Sequence, residues 1–112
     1  MAEPYLEHLS QIVDQLRPGS LEKVTLETKH FFSGAALYAN GKICASLSPS
    51  GFALKLPADV RKSLIAEGRA KEFRFFESGP IKREYVVLSD GMVQDQQVLH
   101  HFIELSLNYV IS

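Results

Sequence analysis

The sequence predicts an α+β fold: one antiparallel sheet with helices packed on a face. Three observations carry this. Helical periodicity is confined to the start, the middle and the end of the chain, while short alternating apolar runs fill the stretches between. Asn40-Gly41 stands between two apolar runs, which is the strongest short-range hairpin signal because both central residues of a type I′ turn need φ > 0. Strands and helices are grouped rather than strictly alternating, which favours α+β over a parallel α/β sheet.

The elements follow in order. Tyr5, Leu9, Ile12, Val13 and Leu16 recur at three- and four-residue spacing, so residues 4–16 read as a first helix. Pro4 suits its first turn, and Pro18-Gly19 ends it. Val24, Leu26 and Thr28 alternate with Thr25, Glu27 and Lys29, the period of a half-buried strand that can run on through Phe31-Phe32. Residues 35–39 and 42–47 are the arms of the Asn40-Gly41 hairpin. Ser48-Pro49-Ser50-Gly51 is a turn, and Phe52, Leu54 and Leu56 alternate in a further short strand.

Pro57-Ala58-Asp59 opens a second helix over about 58–67, with Gly68 as its C′ residue. Residues 72–76 and 84–88 read as two more strands joined across Ser78-Gly79-Pro80. Asp90-Gly91 breaks the chain. Asp95 can cap a last helix at about 96–110, whose broad apolar face suits burial against a sheet or a second subunit. The order reads helix, three strands, helix, two strands, helix, in one domain spanning 1–112.

A chain of 112 residues can bury a real core without metals or disulfides. Its net charge of −1 gives no overall basic excess with which to neutralise phosphates, which disfavours nucleic acid as the main partner. Cys44 is the only cysteine, there is no basic n-region followed by an apolar run, and no apolar run approaches the roughly 18 residues of a membrane helix. A soluble cytoplasmic protein that engages no membrane is the expectation.

Reactive chemistry is sparse. His100 and His101 are adjacent on a helix, so their side chains diverge, and His8 and His30 stand far from them in sequence. No metal-ligand spacing, phosphate loop or nucleophile elbow is present. Cys44 reads as a small buried hydrophobe. Catalysis, cofactors and metals are therefore not expected. The window from Arg61 to Arg83 holds Arg61, Lys62, Arg69, Lys71, Arg74, Lys82 and Arg83, which suits a solvated face, or a surface for an acidic protein or nucleic acid. Phe75 and Phe76 are consecutive on a strand and must face opposite ways. If both are buried, both sheet faces are covered, and a homodimer is one means of covering the second.

The run Phe31-Phe32-Ser33-Gly34, followed by Leu37-Tyr38-Ala39-Asn40-Gly41-Lys42, resembles the N-terminal domain of the TfoX/Sxy competence regulators. The family pattern there is approximately Met-Phe-Gly-Gly, a short spacer, then Leu-Tyr, any residue, Asp-Gly-Lys. Ala53-Leu54-Lys55-Leu56 resembles the family's Leu-Tyr-Leu-Lys-like strand, and Asp95-Gln96-Gln97 the polar run before its last helix. Phe31, Ser33 and Asn40 stand where the family favours Met, Gly and Asp. The resemblance implies a secretion-chaperone-like α+β domain. It also implies a regulatory role in competence transcription, exercised through a partner protein and without catalysis. The family's second, helix-hairpin-helix-like domain has no counterpart before Ser112. Motif or interaction residues implied in this way are Phe31, Phe32, Ser33, Gly34, Tyr38, Asn40, Gly41 and Lys55. A small ligand-binding protein or enzyme with a pocket between sheet and helices, and a weak nucleic-acid binder, are the alternatives.

Overall fold

The computed structural model describes residues 3–14, 24–31, 34–49, 51–74 and 79–111. The elements are α1 (Glu3–Asp14), β1 (Leu26–Phe31), β2 (Gly34–Ala39), β3 (Lys42–Ser48), β4 (Gly51–Lys55), α2 (Ala58–Ala66), β5 (Ala70–Phe73), β6 (Lys82–Leu88), α3 (Asp90–Gln94) and α4 (Gln96–Ile111). The expected alternation of helix and strand groups is present. Its first group contains four strands, because each apolar run between 24 and 56 becomes a separate strand. Asp90-Gly91 does more than break the chain: it begins the five-residue helix α3, whose Met92 is buried. Pro18-Gly19, Ser50, Phe75, Phe76 and Ser78 lie outside the described residues. The homodimer expectation drawn from Phe75 and Phe76 therefore rests on residues outside the described ones. Among the described residues no helix is long and apolar enough to cross a membrane.

All six strands share one sheet, ordered β1-β2-β3-β4-β6-β5, and every neighbouring pair is antiparallel. The first four strands form a meander. After β4 the chain crosses through α2 to β5, then returns to place β6 in the gap between β4 and β5. That split crossover makes β4 and β5 parallel although they never touch.

The helices gather on one face. α1 packs on β1–β3, α4 on β2–β4, and α2 against β5 and β6. Leu9 and Ile12 anchor α1, and burying each contributes about 1.5–3 kcal/mol. Ala35, Leu37 and Ala39 of β2, Phe52 and Leu54 of β4, and Val86 and Leu88 of β6 alternate onto this face and meet Leu99, Phe102, Ile103 and Leu107 of α4. On the opposite face Ala53, Phe73, Tyr85 and Val87 form a second, smaller cluster.

Local chemistry sets the element ends. Gly68 has φ +73°, its N–H donates to Ile65 O (3.1 Å), and the Arg69 N–H donates to Leu64 O (2.9 Å). Together these form a complete Schellman ending for α2. Asp95 accepts the Val98 N–H on Oδ1 at 3.3 Å, capping α4 as its sequence position implies.

β3 contains one residue more than its partner requires. Leu37 pairs with Ala45 and Tyr38 with Ile43, so Cys44 is a bulge residue with no opposite number. Its carbonyl, displaced from the ladder, accepts the Ser106 hydroxyl of α4 at 2.9 Å, and its thiol donates to Leu37 O at 3.4 Å. A serine on the buried stripe of α4 is explained by that one backbone oxygen. Burial pushes the Cys44 thiol up to about 12.

Candidate functional site

The residues singled out by sequence divide into scaffold residues and surface residues. Phe31 ends β1, paired with Gly34, while Phe32 and Ser33 lie outside the described residues. Gly34 is buried at the start of β2. A Cβ built there would land on the Leu47 carbonyl oxygen and come within 2.8 Å of Ser48 Cα, so the two backbones approach too closely for any side chain. Asn40 and Gly41 have φ of 51° and 81°, the left-handed pair of a type I′ turn. Asn40 does a second job. Its N–H donates to Thr25 O (2.8 Å), and its Oδ1 accepts the Thr25 N–H (2.8 Å). This reciprocal pair extends the β1–β2 ladder one step past Leu26–Ala39 and fastens the hairpin tip to the edge strand. An aspartate at this position would offer the same acceptor.

Tyr38 and Lys55 are different. Both are half-buried and lie on the sheet face that no described helix covers. The registers build a band there: Glu27 opposite Tyr38, Tyr38 opposite Ile43, then Lys55 opposite Tyr85. The Lys29 ammonium stands 5.3 Å from the Tyr38 ring centroid, and that of Lys55 5.5 Å from the Tyr85 ring. Both are cation–π distances. Lys29 also reaches Glu27 at 3.9 Å, an exposed contact of little energetic consequence. Burial raises the Tyr85 hydroxyl to about 12, so it stays protonated at any physiological pH.

The structure therefore joins Tyr38 and Lys55 in one band and adds Lys29, Ile43 and Tyr85, which sequence reading did not select. Their common face depends on strand register across the bulge, which no local pattern encodes. Beside the band, Ala36, Ser46 and Ala53 form a row of small residues on β2, β3 and β4. Ser46 is 2% exposed, and its Oγ has no hydrogen-bond partner among the described residues.

The chain matches the family model described as the TfoX N-terminal domain over residues 19–109. It belongs to that family. Neither the curated proteins nor the solved structures contain a match to it. Gly34, Asn40 and Gly41, among the residues through which the sequence resembles the family, are each committed to a backbone requirement.

Cavities lie elsewhere. A hollow of about 470 Å³ opens at the far end of the sheet, walled by Leu47, Phe52, Val87 and Leu88 with Lys71 and Asp90 beside it. Another of about 510 Å³ lies under the end of α4, where Tyr109 Oη donates to Glu84 Oε1 at 3.0 Å. Among the described residues no three His, Cys, Asp or Glu side chains come together as a metal site.

Proposed function

We propose that this TfoX N-terminal domain is a regulatory module that acts by binding another protein, and that it carries out no catalysis. The observation behind this reading is the band of Tyr38, Ile43, Lys55 and Tyr85 on the sheet face that no described helix covers. Tyr38 and Ile43 are partly exposed, and lysine ammonium groups are held over the rings of Tyr38 and the buried Tyr85, so the band gives apolar contact area with polar tips. Tyrosine-rich composition is characteristic of interface centres. Gly34, Asn40 and Gly41, in contrast, are consumed in holding the hairpin.

The test is affinity capture from the native cell lysate with the wild-type domain and with a Tyr38→Ala/Lys55→Glu variant. The expected result is a specific protein retained by the wild type and lost with the variant, while both give the same circular dichroism spectrum. Equal retention by both would remove the band from the interface. An empty capture alongside a ligand-dependent rise in melting temperature would move the reading to small-molecule binding. Sedimentation at micromolar concentration decides whether the partner is a second copy: a mass of one chain excludes it.

A further inference from the structure

Ile65 and Ile81 are 42% and 37% accessible, the two exposed large hydrophobic residues of the described chain. They are far apart in sequence, one on α2 and one just before β6, yet both line a single hollow of about 220 Å³ between those elements. Arg61, Lys62, Lys82 and Arg83 line the same hollow, and Glu72 is its one carboxylate. The Nε of Arg61 is buried with no hydrogen-bond partner among the described residues, and a buried donor without a partner carries a desolvation cost.

Size narrows the occupant. Pockets for drug-sized ligands run to about 300–1,000 Å³, so this hollow suits a single large apolar side chain. Charge narrows it further. An apolar floor within a cationic rim complements an apolar anchor flanked by carboxylates, and the buried Arg61 N–H is a ready donor to one of them. Duplex nucleic acid would satisfy the cations and leave both isoleucines without a partner.

We infer that the hollow between α2 and β6 docks a short acidic amphipathic segment of a partner protein, which places one apolar side chain between Ile65 and Ile81 and its carboxylates on Arg61, Lys62 and Arg83. The inference deepens the protein-binding reading and rests on it. A second hollow of about 240 Å³, bounded by Lys55, Lys82, Arg83, Glu84 and Tyr85, joins this site to the sheet-face band, so one partner can span both.

The test uses fluorescence anisotropy with a labelled peptide of about 16 residues, made of Glu, Asp and Ala with Leu at two positions four apart. The expected dissociation constant is on the order of 10–100 µM. Ile65→Ser and the charge reversal Lys62→Glu should each weaken binding about 5- to 10-fold or more, with melting temperatures unchanged because both side chains are well exposed. Replacing the two Leu by Ala should abolish binding. Binding weaker than about 1 mM overturns the inference, as does a peptide indifferent to Ile65→Ser. A random-sequence duplex that displaces the peptide and binds with a steep salt slope also overturns it, in favour of phosphate contact. Peptide failure with continued loss of the captured protein by the Tyr38/Lys55 variant would sink the anchor and leave the protein-binding reading standing.

Discussion

Replacing Gly34 by alanine should cost more than replacing a glycine with open space at its Cβ position, such as Gly68. The added methyl would collide with the Leu47 carbonyl oxygen and sit 2.8 Å from both Ser48 Cα and Ser48 Cβ. Leu47 and Ser48 are backbone neighbours in the next strand, so relief requires β2 and β3 to part. Overpacking of this kind costs about 1–3 kcal/mol, and stretching one ladder hydrogen bond adds about 1 kcal/mol. The smaller entropy of the unfolded alanine chain offsets about 0.4–1 kcal/mol. The expected loss is about 2 kcal/mol, or roughly 8 °C in melting temperature at about 4 °C per kcal/mol for a chain of this length. Gly68 supplies the control. Its φ is +73° but nothing lies within 4 Å of its Cβ position, so Gly68→Ala carries only the left-handed penalty of about 1–2 kcal/mol. Asparagine, which tolerates that conformation, should recover much of the loss at 68 and none at 34. Urea and thermal unfolding followed by circular dichroism measure all four variants. If Gly34→Ala melts within about 4 °C of wild type, or no lower than Gly68→Ala, the close-approach explanation of the family glycine is wrong.

Asn40→Ala should lose about 1–2 kcal/mol in chemical denaturation, because it removes the acceptor for Thr25 and a residue tolerant of φ 51°, whereas Asn40→Asp should stay close to wild type. Ser106→Ala leaves the bulge carbonyl of Cys44 unpaired and should destabilise by about 1–3 kcal/mol, while Ser46→Ala removes a hydroxyl that has no partner and should be neutral or stabilising by the same assay. Stability should fall as pH rises from about 9 towards 12. Cys44 and Tyr85 are raised to about 12 when folded, so the unfolded chain releases protons first and binds fewer than the folded one. Denaturation midpoints measured at pH 8, 9 and 10 should decline, with a shallower decline in Cys44→Ala. The same burial should make Cys44 inert to thiol reagents until the domain unfolds, so that its labelling rate tracks unfolding.

The features legible in the sequence are those decided within a few residues. Asn40-Gly41, the Gly68 ending and the Asp95 cap each satisfy a local backbone requirement, and each sits where its residue type implies. The Cys44 bulge was not legible, because Ile43-Cys44-Ala45 alternates no differently from a regular strand. Only its pairing with Leu37 and Tyr38 exposes the extra residue. Gly34 stood out as a motif glycine, but its reason is the backbone of Leu47 and Ser48, which the chain brings alongside through the hairpin. The candidate site follows the same division. Lys55 and Tyr38 could be picked singly, yet their union with Tyr85 depends on β6 lying beside β4. The approach of Ile65 to Ile81 requires the crossover to bring α2 over the start of β6.

The split crossover also sets an order of assembly. β1 to β4 pair with sequence neighbours, so the meander can zip as soon as its turns close. β5 has no such option: within the sheet its ladder runs to β6 alone, and β6 is made after it. Until residues 82–88 are available, β5 has nothing to pair with and the meander ends at an unfilled β4 edge. A single late strand thus completes two ladders at once, and its Val86 and Leu88 fill the core beneath α4 in the same step. On a ribosome this domain remains unfinished until β6 emerges, and truncation ahead of Lys82 would leave an apolar sheet edge open to other chains.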